Sequence, residues 1–267
     1  MNLITFLSDF GTNDGYVGSV KGVILSINPN ENVIDISHNI RPYQVAEGAY
    51  ILNSFFDTYP GGSVHLAVVD PDVGSERLPL IIKTTKYLFV GPDNGIFSYI
   101  YQREACNIYK IELNKLNKFS QIKRNISSTF HARDIFGPVA ALLSMGIPAD
   151  KLGKGCYDKL VSLNKPLIID RNDIKVDIIW IDHFGNIITN FSVHEYEQII
   201  DREILAIEIK GSIINEIVHS YSSVPEGQLL AIWGSRSFLE ISINKGNAAE
   251  KLGCIIGKDN IHIKLKI

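Results

Sequence analysis

The sequence predicts an N-terminal α/β layered domain with a largely parallel sheet, followed by a smaller C-terminal antiparallel β-barrel domain. Three observations lead there. In the first part of the chain, apolar runs of strand length alternate with stretches of helical spacing, as when helices carry the chain between parallel strands. From about Asn164 the texture changes to short β-rich runs broken by Gly, Asn and Pro, the pattern of a small antiparallel barrel or sandwich. A chain of 267 residues is also long for one core and comfortable for two. The expected domains are 1–165 and 172–267, with the boundary inside LNKPLIIDRND at 163–173.

Each element has its own signal. LITFLSDF reads as a strand ending at Asp9, followed by the turn Gly11-Thr12-Asn13-Asp14. YVGSVKGVILSINP carries apolar residues at helical spacing and stops at Pro29. NVIDIS is a second strand and VAEGAYILNSFFDTY a second amphipathic helix. SVHLAVVD, LPLIIKT and KYLFVGP look like further buried strands. DIFGPVAALLSMG closes this half as a helix with Pro138 near its first turn, where proline is tolerated. In the second half KVDIIWID, NIITNF, ILAIEIKG, IINEIVHSYSSV, QLLAIWG, FLEISIN and NIHIKLKI are β-rich, and VHEYEQII is the clear helix.

Composition narrows the function classes. Apolar residues make up 45% and charged residues 21%, an ordinary globular balance. A net charge of −3, with no basic run interleaved with aromatics, argues against nucleic-acid binding. The three cysteines, Cys106, Cys156 and Cys254, are scattered without CxxC spacing, so neither disulfides nor a zinc cluster is expected. The N-terminal apolar stretch meets Asp9 too soon for a signal peptide, and no apolar run approaches membrane-spanning length. A cytoplasmic location is the expectation. GxGxxG, Walker, HExxH and GxSxG patterns are all missing from the sequence.

Asp9, Asp70 and Asp93 each fall at the end of a predicted strand, where parallel sheets open their usual crevice. VVDPDVGSER and SSTFHARD place Asp70, Arg77 and His131 at loop-like positions. A carboxylate, a fixed cation and an imidazole make a kit for holding or deprotonating a small polar molecule such as water. Asp9 suits a ribose diol, because one carboxylate can accept from two adjacent hydroxyls. Taken singly, the other motifs have plainer explanations. Asp14 reads as turn and cap chemistry, Tyr43 as packing, and Asp93-Asn94-Gly95 as a turn. Asp182, Phe184 and Asn186 surround a glycine between β runs, which a hairpin turn explains as well as a ligand does. Ser235 and Arg236 stand where a strand pauses; an arginine there is usually a solvated edge charge, although its fork suits a carboxylate.

In combination, LSDFGTNDGYVGSVKGVI, HNIRPYQVAEGA, VVDPDVGSER, VGPDNG, SSTFHARDIFGPVAA, IDHFGNIITN and GSRSFLEI resemble, in order, the adenosine-forming S-adenosylmethionine (SAM) hydrolases. These are also called SAM hydroxide adenosyltransferases and are related to fluorinases and chlorinases. The resemblance implies an enzyme in which water, handled as hydroxide, attacks the ribose C5′ of SAM and releases adenosine and L-methionine. It implies Asp70, Arg77 and His131 as the catalytic set, with no metal and no cofactor. Asp9 would hold the ribose hydroxyls and Tyr43 an aromatic wall. Asp182 would take the methionine amino group, Ser235 its carboxylate, with Arg236 also placed for ligand contact; Phe184 and Asn186 would frame the adenine. The family also implies a homotrimer with sites between subunits. Two positions depart from its pattern: Asp72 in DPDVG and Ala132 in FHARD stand where glycine is usual. Asp72 would add a carboxylate near Asp70 and Ala132 would narrow the nucleophile's pocket. A SAM-dependent halogenase has a tyrosine at the Asp70 position and a Tyr-Ser pair at 131–132, so the hydrolase is favoured. A catalytically silent adenosine or SAM sensor is the alternative outside catalysis.

Overall fold

A computed structural model describes residues 3–119, 125–157, 160–163, 165–170, 172–199 and 202–266. Asn164 and Arg171 of the expected boundary, and Ile200 and Ile267 at the ends of two expected elements, lie outside them. The chain divides into two compact units, Met1–Leu163 and Asn164–Ile267.

The first unit is built on seven strands: β1 (Ile4–Ser8), β2 (Val33–Ser37), β3 (Val64–Val68), β4 (Pro79–Lys83), β5 (Leu88–Pro92), β6 (Asn107–Ile111) and β7 (Gly153–Gly155). Their order is β2-β1-β3-β5-β4-β6-β7. The run β2-β1-β3-β5 is parallel, and β4, β6 and β7 pair antiparallel. Antiparallel pairing follows from connection length, because the short 84–87 turn between β4 and β5 leaves no room for a crossover helix. Helices α1 (Tyr16–Ile27), α2 (Val45–Phe55), α3 (Ser98–Arg103), α4 (Leu113–Phe119), α5 (Gly137–Ser144) and α6 (Ala149–Leu152) complete the unit.

Strand periodicity decides which helices cover which face. Phe6, Leu66, Val68, Ile81 and Val90 form one core with Val20 and Ile24 of α1 and the apolar side chains of α5. Their neighbours Leu7, Ala67, Val69, Ile82 and Phe89 form a second core with Leu52 of α2 and Ile100 of α3. The sheet is therefore covered on both faces, which is why its strands read as continuous apolar runs. The helix expected from Asp134 begins differently. Residues Ala132–Phe136 form a π-helical turn, and Pro138 then sits in the first turn of α5.

The second unit contains β8 (Leu167–Asp170), β9 (Asp173–Ile181), β10 (Ile187–Ser192), α7 (Val193–Glu197), β11 (Ile204–Ile209), β12 (Ser212–Ile214), β13 (Ile217–Val218), β14 (Leu229–Trp233), β15 (Phe238–Ile243), α8 (Ala248–Leu252) and β16 (Asn260–Leu265). The order β12-β11-β16-β9-β10-β15-β14-β13, with β8 added on β9, makes a nearly closed, antiparallel-rich barrel. Alternate residues such as Ile187, Leu239 and Ile241 fill it. Ser192 and Glu195 close a capping box at the start of α7. Among the described residues, no helix is long and apolar enough to cross a membrane.

Candidate active site

Strands β1, β3 and β5 are neighbours in the parallel run, and Asp9, Asp70 and Asp93 follow directly or closely on their carboxyl ends. Three carboxylates thus collect at one edge of the sheet. Burial is the main cause that raises the pKa of Asp9; the Asp70 charge adds to it, and the Tyr43 N–H bond opposes it. Burial likewise raises Asp93, which accepts Val161 N–H at 3.1 Å.

The loop after β3 and the segment before α5 meet beside this edge. Gly74, at φ +85°, lets them close: a Cβ there would stand 2.4 Å from the Ser128 carbonyl oxygen. Arg77 Nε donates to Asp70 Oδ1 at 2.6 Å, and Arg77 Nη2 donates to Asp70 Oδ2. The second proton of the same nitrogen reaches His131 Nδ1 at 2.8 Å. The Asp70 and Arg77 side chains are only 5% and 6% exposed, so the pair is desolvated as well as bidentate. The ring of Phe136 lies under the guanidinium, 5.4 Å from its carbon.

This geometry assigns the histidine tautomer. A guanidinium carries donors only, so Nδ1 must accept and the ring proton resides on Nε2. Burial, and then the Arg77 charge, lower the pKa of His131; Asp70 and Asp134 act in the opposite direction without reversing the result. Asp134 pins the segment by accepting Ser127 N–H at 2.9 Å and pairing with Arg133 at 2.7 Å. Phe130, before His131, packs edge to face on Phe10 at 5.9 Å and on Tyr16 at 5.4 Å, and Phe10 and Tyr16 lie tilted at 6.2 Å, tying the Asp9 turn to the His131 segment. The cluster therefore presents a carboxylate, a fixed cation and an imidazole whose Nε2 carries the N–H.

Tyr43 is 70% exposed and has φ 70°, a left-handed conformation that disfavours a bulky side chain. Asp9 Oδ2 accepts its backbone N–H at 2.9 Å and so helps hold the strained turn. In the second unit the hairpin explanation for IDHFGNIITN is realised. Asp182 Oδ1 accepts from Phe184 N at 2.9 Å and Asn186 N at 2.8 Å, and Oδ2 from Asn186 Nδ2 at 2.8 Å. Gly185 supplies the positive φ, and the Phe184 ring is 72% exposed. Ser235 is exposed and Arg236 half-buried in the tight turn between β14 and β15.

The two departures from glycine act less directly than the sequence suggests. Asp72 is exposed and is not among the positive-φ residues; the left-handed position in that turn is Gly74. Ala132 is 3% exposed and belongs to the core over α1 and α5, so its methyl is a packing group.

Sequence reasoning missed Glu240. Its carboxyl presses against Gly234, where a Cβ would overlap Oε1 at 1.7 Å, and it accepts the Tyr221 hydroxyl at 3.0 Å. Burial and then the charge of Asp182 raise its pKa, while Tyr221 opposes this; Tyr221 itself is pushed up to about 12, first by burial and then by Glu240. Glu240 thus relates the Asp182 loop to the Ser235 turn. Its only signal in the sequence is an acid inside the apolar run FLEISI. Among the described residues no cluster of His, Cys, Asp or Glu has the makings of a metal site.

Comparisons with known proteins agree across both units. The SAM hydroxide adenosyltransferase N-terminal domain matches residues 4–153, and the corresponding C-terminal domain matches 176–260. The chain is 37% identical over 264 residues to a protein named (R)-S-adenosyl-L-methionine hydrolase from Methanocaldococcus jannaschii, covering 94% of this chain and 92% of that one. A solved structure of an uncharacterized conserved protein from Thermotoga maritima superposes with a TM-score of 0.82 at 32% identity, covering 98% of this chain and 100% of the other. A fluorinase of Nocardia brasiliensis is more distant, at 24% identity over 92% of each chain. An α/β unit followed along the chain by a β-barrel unit, each matched by its own domain model, defines the class. The chain belongs to the SAM hydroxide adenosyltransferase family.

Proposed function

We propose that this enzyme hydrolyses SAM to adenosine and L-methionine by attack of water on the ribose C5′. The observation that carries the reading is the Asp70–Arg77–His131 cluster, in a chain 37% identical along nearly its whole length to a SAM hydrolase.

Water sits between Asp70, which accepts its proton, and the Nε2–H of His131, which donates to its oxygen. The Arg77 guanidinium favours the anionic form of the nucleophile. As the new C–O bond forms in line, the C5′–S bond breaks and its electron pair leaves with sulfur. The sulfonium becomes a neutral thioether, so departure needs no general acid. Charge disappears as the bond breaks, so a dry, aligned site serves the reaction. No metal or cofactor takes part in this scheme.

Substrate contacts follow the same reading. Asp9 grips the ribose hydroxyls, and the exposed Tyr43 ring is the aromatic wall. Asp182 takes the methionine ammonium and Ser235 its carboxylate, with Arg236 beside it. Phe184 and Asn186 frame the adenine. The contacts occur in both units, which suits a homotrimer that completes each site between subunits. We propose a cytoplasmic location for the enzyme.

The test is incubation with SAM, with and without chloride, followed by chromatography of the products. Adenosine plus methionine is the expected outcome. 5′-Chloro-5′-deoxyadenosine would make the enzyme a halogenase, and adenosine binding without turnover would make it a sensor.

A further inference from the structure

Ser8, His38 and Asp35 form a hydrogen-bonded chain that this chemistry does not use. Ser8 Oγ lies 2.7 Å from His38 Nδ1, and His38 Nε2 lies 3.0 Å from Asp35 Oδ1. Lys21 Nζ pairs with Asp35 Oδ2 at 2.5 Å. The order is that of a hydrolytic triad. Ser8 is nevertheless fully buried as the last residue of β1, so no substrate can reach its hydroxyl.

Donors and acceptors in the chain fit a single direction. The Asp35 carboxylate only accepts, so the proton between it and the ring belongs to His38 Nε2; Nδ1 of the neutral ring then accepts the Ser8 hydroxyl proton, and Ser8 Oγ accepts Phe10 N–H at 3.4 Å. The imidazole is then the Nε2–H tautomer and donates to Asp35. Burial disfavours the charge on Asp35, but the bonds from Lys21 and His38 outweigh it and hold the carboxyl below its usual range. The His38 ring is 4% exposed and packs edge-on against Phe6 at 4.7 Å, so it has no room to swing away. Its backbone carbonyl also accepts Gly11 N–H at 2.7 Å. His38 thus holds the chain on both sides of Asp9, at Ser8 through its ring and at Gly11 through its backbone carbonyl.

We infer that His38 is a positioning residue for Asp9: it fixes the turn from which Asp9 presents its carboxylate to the ribose diol, and the Asp35–Lys21 pair fixes the tautomer that lets it do so. This inference rests on the proposed grip of Asp9 on the ribose.

Calorimetric titration of the full chain with adenosine and with 2′-deoxyadenosine tests it, with thermal melts as the folding control. The wild-type protein should prefer adenosine. His38→Leu should lower that preference about tenfold, the equivalent of one modest hydrogen bond, with little change for 2′-deoxyadenosine. His38→Asn keeps an acceptor for Ser8 and should restore most of the preference. Asp35→Ala lies at the exposed end of the chain and should shift it in the same direction as His38→Leu, so it decides the matter where His38→Leu does not fold. A wild-type protein that binds both nucleosides equally removes the Asp9 reading and this inference with it. A wild-type preference that survives in Asp35→Ala and in folded His38→Leu overturns the inference alone.

Discussion

Arg77 Nη2 lies 2.8 Å from His131 Nδ1, although the two residues stand 54 positions apart, and the same nitrogen also serves Asp70. One guanidinium therefore ties the β3 loop to the segment before α5 and decides which ring nitrogen of His131 carries the proton. Lysine has a point charge without the planar fork, so it cannot satisfy two carboxylate oxygens and an imidazole together. Arg77→Lys should lower kcat about a hundredfold, the scale of losing one oriented donor. Arg77→Ala should in addition destabilise the fold by about 3–5 kcal/mol, since it leaves Asp70 buried without its cation. Steady-state kinetics and urea melts measure the two effects. Wild-type kcat in Arg77→Lys would remove the fork from the mechanism.

The pH profile should carry the mark of His131. Its folded-state pKa is lowered from 6.5, so over the interval below 6.5 the unfolded chain binds the proton more readily than the native one. This group's contribution to stability is fully present above pH 6.5 and is lost as pH falls through the folded value. Protonation also removes the Nδ1 acceptor that faces Arg77. The kcat/KM profile should thus stay level near neutrality and fall only on the acid side of 6.5. An acid limb centred above 6.5 would contradict the neutral-imidazole assignment.

Gly74 is the hinge of the assembly. Alanine there meets both the positive φ and the Ser128 carbonyl oxygen at 2.4 Å. Gly74→Ala should cost about 1–3 kcal/mol of stability through strain and should lower kcat more than it raises KM, because it parts Arg77 from His131. Guanidinium unfolding together with kinetics gives both numbers. A fully active Gly74→Ala would show that the close approach is dispensable.

Tyr43 pairs an exposed aromatic ring with a left-handed backbone. Tyr43→Gly should relieve about 1 kcal/mol of strain and raise Tm while increasing KM for SAM; Tyr43→Ala should increase KM without that gain in Tm. Unchanged KM in both variants would leave the ring without a role in binding.

Asp182 has two duties that one substitution can separate. Asp182→Asn keeps an acceptor for the Phe184 and Asn186 N–H groups but loses the charge, whereas Asp182→Ala also opens the turn. Asp182→Asn should raise KM for SAM with kcat nearly constant and Tm within a few degrees, while Asp182→Ala should lower Tm as well. A KM unchanged in Asp182→Asn would exclude this carboxylate from ammonium recognition.

Both units' fold classes, and the carboxylates at the strand ends, are legible in the sequence because they depend on local periodicity. Runs such as SVHLAVVD reveal a strand covered on both faces, and a residue just past such a strand leaves the core whatever its partners are. The family resemblance carried by the ordered motifs groups Asp70, Arg77 and His131 as one expected set. Their mutual geometry is decided only by tertiary structure, because sheet order, the Gly74–Ser128 approach and the π-helical turn bring together groups that the chain keeps far apart. The same holds for Glu240 beside Gly234, for the Ser8–His38–Asp35 chain, and for the side chains of Asp72 and Ala132, one exposed and one in the core. Sequence determines which groups are available and where the chain leaves the core. Hydrogen bonds and charges act through space over a few ångströms, so only the folded chain settles which group donates, which accepts, and where the proton on His131 resides.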